Sequence, residues 1–207
     1  HELYIRDLNP TVVRRVDRTG GTFLHTSRTN PSKVRAKDTP EFLKGSKSGK
    51  VVDELEEITD YTDHILKVID HLKLDSLITI GGDDTLSYSA RLQKEGVKLN
   101  AIPKTMDNDV LGTEYCIGFS TAVTQAVNLI TNFRTSIGSH ERIGVVELFG
   151  RNSGETALIT GYLSYVDRTI ICEVPFNMQE VAQLLASDKR NSKSFYSICV
   201  ISEGAHT

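Results

Sequence analysis

The run Ser76-Leu77-Ile78-Thr79-Ile80-Gly81-Gly82-Asp83-Asp84-Thr85 passes abruptly from strand-forming residues to two glycines and two acids. A β-rich segment that stops at paired glycines reads as a strand ending in a tight turn. A helix is expected next, from about Thr85 to Gln93, then a strand over Leu99–Ile102 ending at Pro103. Upstream, Leu55, Ile58, Ile65, Leu66, Ile69 and Leu72 recur at helical spacing and predict a helix over about 53–73. Downstream, Ala122 to Phe133 reads as a helix, Ile143–Leu148 as a strand and 154–164 as a helix. Arg168–Val174 reads as a strand, Val181–Leu185 as part of a helix and Tyr196–Ile201 as a final strand. This alternation implies βαβ units in an α/β fold with mainly parallel sheets. The continuous apolar strands imply burial on both faces.

Ligands of such folds bind at the carboxyl ends of the strands. Four of these ends carry conspicuous polar segments: Gly81–Thr85, Pro103–Asp109, Phe149–Gly154 and Ser202–Gly204. The fold class therefore predicts that they share one side of the sheet.

Composition narrows the class. The 207 residues are enough for one or two domains, with 39% hydrophobic and 25% charged side chains. A net charge of −3 excludes nucleic-acid binding driven by overall basicity. The charge is uneven: residues 1–50 hold 11 basic and 5 acidic side chains, a surplus read chiefly as a solvated basic loop. Within it, Ser32–Lys50 is rich in Lys, Ser and Gly and reads as an exposed loop. No apolar run approaches the roughly 20 residues that span a bilayer, and no signal peptide is visible at the N-terminus. Neither a membrane nor a nucleic acid is expected as a partner. Cys116, Cys172 and Cys199 are few, odd in number and far apart, with no zinc spacing, which fits a reducing, cytoplasmic compartment.

Each polar segment has two readings. In Gly81–Thr85 the glycines allow a ligand close to the backbone, the next helix offers free N–H groups to phosphate, and Asp83 suits Mg²⁺. The plainer reading is a glycine turn with Asp83 or Asp84 as helix cap. If Pro103–Asp109 is extended, Thr105, Asp107 and Asp109 fall on one side. Two neighbouring carboxylates disfavour joint ionisation, so one is a candidate general base, with Lys104 as a mobile cation. The plainer reading is an Asn/Asp-rich turn. Arg28, Arg142 and Arg151 suit phosphate, and Glu203 suits sugar hydroxyls, although each alone reads equally as a surface charge.

Taken together, the motifs resemble the phosphofructokinase family. The resemblance is carried by Gly20-Gly-Thr-Phe-Leu24 with Thr26-Ser-Arg28, Gly81–Thr85, Pro103–Asp109 and Thr113–Phe119. It continues, in the family's order, through His140-Glu-Arg142, Gly150-Arg151 with Gly154, and Ser202-Glu-Gly204. It implies two Rossmann-like lobes with helices on both sheet faces. A donor and Mg²⁺ lobe is expected over 1–137 without its first strand, and a sugar-phosphate lobe over 138–207 without its C-terminal part. It implies phosphoryl transfer to the 1-hydroxyl of fructose 6-phosphate, a reversible glycolytic reaction. By resemblance, Asp107 is the base, with Thr105 and Lys104 beside it. Arg28, Gly81, Gly82, Asp83, Asp84 and Thr85 surround the donor, and Asp83 binds Mg²⁺. Thr105, Met106, Asp107, Asp109, Phe149, Gly150, Arg151 and Glu203 contact the sugar phosphate. Arg142 serves a neighbouring subunit, which implies a homo-oligomer with shared sites.

Asp84 and Lys104 stand where ATP-using members commonly have Gly, a pairing that resembles the family's pyrophosphate-dependent branch. A carboxylate at 84 repels the α-phosphate of ATP, which pyrophosphate lacks. The alternatives are an ATP-dependent sugar-phosphate kinase and a non-catalytic sugar-phosphate-binding subunit. Retention of Asp83, Thr105, Asp107 and Asp109 argues against the second. Phe149 departs from the family's usual Met.

Overall fold

The computed structural model describes residues 5–45 and 49–207. The chain divides into two compact units, His1–Lys73 and Leu74–Thr207.

The first unit holds a short helix α1 (Pro10–Val13) and a small antiparallel sheet of β1 (Val34–Arg35), β2 (Lys50–Asp53) and β3 (Ile58–Asp60), in the order β1-β3-β2. Helix α2 (Thr62–His71) follows. The helix expected over 53–73 is thus real only in its second half. Asp53 Oδ1 accepts from the backbone N–H groups of Leu55 and Glu56, which makes a turn, and Leu55 is 98% exposed. The apolar spacing at Leu55 and Ile58 was coincidental with a β2–β3 hairpin that also carries a register shift between Val51 and Asp53. The segment Ser32–Lys50 is more than a loop: Val34 and Leu43 are buried with Tyr61 in one cluster. Its residues 46–48 lie outside the described part.

The second unit holds two parallel sheets. One has the order β4-β5-β6, from β4 (Leu77–Gly81), β5 (Leu99–Thr105) and β6 (Ile117–Gly118). The other has the order β7-β9-β8, from β7 (Ile143–Leu148), β8 (Arg168–Ile170) and β9 (Ser197–Ser202). Helix α3 (Asp83–Lys94) packs on β4 and β5, and is tied to β4 by the Thr79 and Ser89 hydroxyls at 2.8 Å. The long helix α4 (Phe119–Ser139) runs between the sheets in sequence, so the expected lobe boundary at 137/138 falls near its end. Helices α5 (Glu155–Leu163) and α6 (Met178–Asn191) both pack on β9.

Two-sided burial holds for β9, where only Ile201 is not fully buried. It does not hold for β4, where Ile78 and Ile80 face away from α3 and are 62% and 56% exposed. Strand β5 runs through Pro103 rather than ending there. Pro103 occupies the last rung opposite β4, at Gly81, and the β6 rungs begin one residue later at Lys104, so the missing N–H falls between two pairings. The strand expected over 168–174 closes at Ile170. No helix among the described residues is long and apolar enough to cross a membrane.

Ile130 of α4, Ala157 of α5 and Val200 of β9 form one core cluster. Ile130→Ala is expected to cost about 2–5 kcal/mol. Urea unfolding should show a lower midpoint with an unchanged slope, and a shift of a few tenths of a kcal/mol would contradict this packing.

Candidate active site

Parallel pairing sets the ends of the strands. Gly81 lies opposite Pro103, and Leu148 opposite Ser202. The four polar segments expected on one side therefore leave two matched pairs of strand ends. Further contacts join the pairs. Thr156 Oγ1, in the first turn of α5, donates to Met106 O at 2.7 Å. Asn108 Nδ2 donates to Glu155 Oε2 at 2.9 Å.

The glycine turn is built by close approach. A Cβ on Gly81 would collide with the Thr85 side chain, and one on Gly82 would sit 3.6 Å from Thr105 Cβ. Gly82 caps α3, so Asp83 and Asp84 are its first two residues rather than its cap. Acids in a first turn suit the helix dipole, and both side chains project into solvent beside the free N–H groups of α3.

The Pro103–Asp109 segment does not stay extended. Asp107 N–H donates to Thr105 Oγ1 at 3.2 Å, and Asn108 adopts a left-handed conformation with φ 54°. The strict alternation expected for Thr105, Asp107 and Asp109 therefore breaks after Thr105. The carboxylates are nonetheless neighbours. Burial lifts the Asp107 carboxyl above the ordinary aspartate value, and the charges of Asp109 and Glu203 push it further up while Arg151 pulls it down. One oxygen of Asp107 and one of Asp109 are buried with no hydrogen-bond partner. Lys104 is half-buried at the first β6 rung.

On the other pair of ends, Gly150 has φ 134° and a Cβ there would strike Ser153 O, so only glycine fits. Glu203 N–H donates to Leu148 O at 2.8 Å, and Ser202 Oγ to Gly150 O. Arg151 and Glu203 approach to 3.8 Å, a loose and exposed pair. Phe149 and Met106 are 60% and 42% exposed, apolar surfaces beside the polar groups.

One expected residue lies apart from this group, and another belongs to the other unit. Arg142 precedes β7, whose six residues span about 20 Å, so it sits at the opposite strand end from Arg151. Arg28 belongs to the first unit, where it is exposed.

The donor set bears on metal binding. Among the described residues no three acid, His or Cys side chains converge into a cage. Mg²⁺ needs none, since it uses one or two carboxylates together with substrate phosphates and water. The polar end of the second unit carries Asp83, Asp84, Asp107, Asp109 and Glu203 against Lys104 and Arg151. Such an acidic surplus fits a divalent cation that arrives with an anionic ligand.

The chain matches the family profile described as phosphofructokinase over residues 1–207. It belongs to the phosphofructokinase family. It is 37% identical over 187 residues to the pyrophosphate–fructose 6-phosphate 1-phosphotransferase of Thermoproteus tenax, covering 89% of this chain and 48% of that protein. It is 39% identical over 154 residues to the ATP-dependent 6-phosphofructokinase of Chloroflexus aurantiacus, covering 74% of this chain and 42% of that protein. The chain thus spans about half the length of these curated relatives. Its fold is similar to that of the solved phosphofructokinase from Saccharomyces cerevisiae, with TM-score 0.62 and 21% identity over 69% of this chain and 21% of that one. It is also similar to a pyrophosphate-dependent phosphofructokinase from Marinobacter aquaeolei, with TM-score 0.58 and 23% identity over 70% of this chain and 41% of that one.

The motifs assign no role to four residues of this chain: Asn108, Glu155, Thr156 and Glu173. Glu173 Oε1 accepts the Gly154 N–H at 2.7 Å, which holds its carboxyl below the ordinary value and pins the loop that carries Arg151. The available signal was an Asn between two acids, since Asn tolerates left-handed backbone.

Carboxyl-carbon NMR should show Asp107 titrating above the ordinary aspartate range. Glu203→Gln should move that titration down and Arg151→Met should move it up. An Asp107 titration indifferent to both changes would refute the electrostatic grouping.

Proposed function

We propose that the protein catalyses Mg²⁺-dependent transfer of a phosphoryl group from pyrophosphate to the 1-hydroxyl of fructose 6-phosphate, giving fructose 1,6-bisphosphate, a reversible glycolytic step. The observation that carries this reading is the half-buried Asp107 carboxylate. It has one unpaired oxygen and lies among the Thr105 end of β5, Arg151 and Glu203. A base is most effective with a pKa near the working pH, and burial moves Asp107 in that direction.

In the reaction, Asp107 takes the proton of the sugar hydroxyl while the new O–P bond forms and the bridging P–O bond of pyrophosphate breaks. Thr105 steadies the Asp107 backbone, and Asp109 and Met106 border the reacting hydroxyl. Lys104 offsets charge on the leaving phosphate. Gly81, Gly82, Thr85 and the α3 N-terminus receive the donor. Asp83 would hold Mg²⁺, which supplies charge neutralisation on the phosphates when bound. Phe149, Gly150, Arg151 and Glu203 take the sugar phosphate. The donor lobe corresponds to residues 1–137 and the sugar-phosphate lobe to 138–207. The position of Arg142, far along β7 from Arg151, supports a role in the site of a neighbouring subunit of a homo-oligomer. The buried free thiols Cys116, Cys172 and Cys199 are compatible with a cytoplasmic location.

Pyrophosphate is preferred as donor because Asp84 puts a carboxylate in the first turn of α3, beside the N–H groups that would take the α-phosphate of ATP. The second reading, ATP as donor, is favoured by the ATP-dependent relative at 39% identity. Turnover of fructose 6-phosphate by full-length protein with each donor separates them. Wild type should prefer pyrophosphate, and Asp84→Gly should gain ATP use while losing pyrophosphate turnover. A wild-type preference for ATP overturns the donor assignment and leaves the sugar-kinase reading standing.

Roles at the acceptor are separable too. Asp107→Ser should lower kcat by about 10²–10⁴, whereas Arg142→Ser should chiefly raise KM for fructose 6-phosphate. Mixed and reassembled oligomers of the two variants should recover activity. A kcat within a few-fold of wild type for Asp107→Ser sinks the base assignment, and no recovery on mixing sinks the shared site.

A further inference from the structure

Asp107 sits between two residues that are each held by the start of the same helix. Before it, Met106 O accepts from Thr156 Oγ1 at 2.7 Å. After it, Asn108 Nδ2 donates to Glu155 Oε2 at 2.9 Å and to Glu114 O at 3.0 Å. Asn108 Oδ1 in turn accepts from Cys116 N–H at 2.8 Å. The amide thus uses both sides of its hydrogen-bonding capacity, in a left-handed conformation that non-glycine residues adopt uncommonly. Thr156 is buried, with 3% exposure, and its hydroxyl is therefore held in one place. Glu155 and Thr156 open α5 directly after the loop that carries Arg151.

We propose that Asn108, Glu155 and Thr156 form a bracket that positions the Asp107 carboxylate relative to Arg151, so that the carboxylate segment after β5 and the loop after β7 keep one register. This rests on the phosphoryl-transfer reading of the site and adds to it three positioning residues, none of which touches the reacting atoms. The chemistry explains the residue types. An Asp at 108 would keep the acceptor for Cys116 N–H but would face Glu155 with like charge and no donor. A Gly would keep the backbone conformation and lose the fastening. A Val at 156 would keep the volume and lose the bond to Met106 O.

The test uses the full-length protein with fructose 6-phosphate, pyrophosphate or ATP, and Mg²⁺. Asn108→Gly and Thr156→Val should each lower kcat by about 10–100-fold, as a displacement of about 1 Å costs near 10²-fold. KM for fructose 6-phosphate should change less than threefold, about 0.7 kcal/mol or less by the tenfold-per-1.4 kcal/mol relation. Asn108→Asp should be at least as damaging. Adding Glu155→Gln to it should restore much of kcat, because the Gln amide then donates to the new carboxylate. Folded variants with kcat within twofold of wild type, or a double variant no better than Asn108→Asp alone, overturn the bracket. If Asn108→Gly does not fold, Thr156→Val and the rescue pair decide the matter. If wild type turns over fructose 6-phosphate with neither donor, the function reading fails by itself. The bracket is then read from the Asp107 carboxyl NMR signal, which should shift in Asn108→Gly and Thr156→Val, and an unmoved signal in both overturns it.

Discussion

A parallel strand pair delivers both of its carboxyl ends to one edge, and this constraint governs the second unit. Gly81 faces Pro103 and Leu148 faces Ser202, so the polar segments that follow these residues emerge as neighbours within each sheet. Antiparallel pairing would have sent half of them to the other edge. The candidate site of the second unit depends on that directionality. The glycine turn comes close to Thr105 because β4 ends at Gly81, opposite Pro103, while β5 runs two residues further. Glu203 can reach the field of Asp107 only because β9 ends level with β7.

Level strand ends within each sheet do not by themselves align one sheet with the other. That task falls to the first turn of α5, whose Glu155 and Thr156 side chains hold the residues flanking Asp107. Its cost is a non-glycine residue in left-handed backbone, which Asn tolerates better than most. The acids at this end outnumber the cations of the protein beside them, and Arg151 is exposed and only loosely paired with Glu203. Such an acid-rich end would take an anionic ligand only together with a cation.

Much of this could be read from residues alone, and the gaps have physical reasons. Strands β4, β5, β7 and β9 were legible because apolar runs ending at polar clusters have few other readings. The hairpin ahead of α2 was not, because Leu55 and Ile58 mimic helical spacing while the Asp53 side chain, invisible to periodicity, makes the turn. Asp107, Asp109, Arg151 and Glu203 were legible as candidates because their types suit phosphate and sugar, and the fold gathers them at strand ends. The grouping of Asp107 with Asp109 was right although the extended geometry behind it was not, since the chain turns at Asn108. Glu155 and Thr156 were illegible because their partners lie about 50 residues away, at separations of 47 and 50, where no local pattern records the contact.

The second sheet also has an order of manufacture. Its central strand, β9, is the last of the three to leave the ribosome, while its flanking strands β7 and β8 are made first and do not pair with each other. Until residues 197–202 emerge, β7 and β8 have no common neighbour, and α5 and α6 lack the strand on which both pack. Unpaired strand edges are the surfaces through which nascent chains misassociate. The loop bearing Arg151 is translated well before Ser202, whose hydroxyl bonds to Gly150 O. The strand ends that carry Arg151 and Glu203 are therefore brought together in one late event, when the last strand threads between two that have been waiting for it.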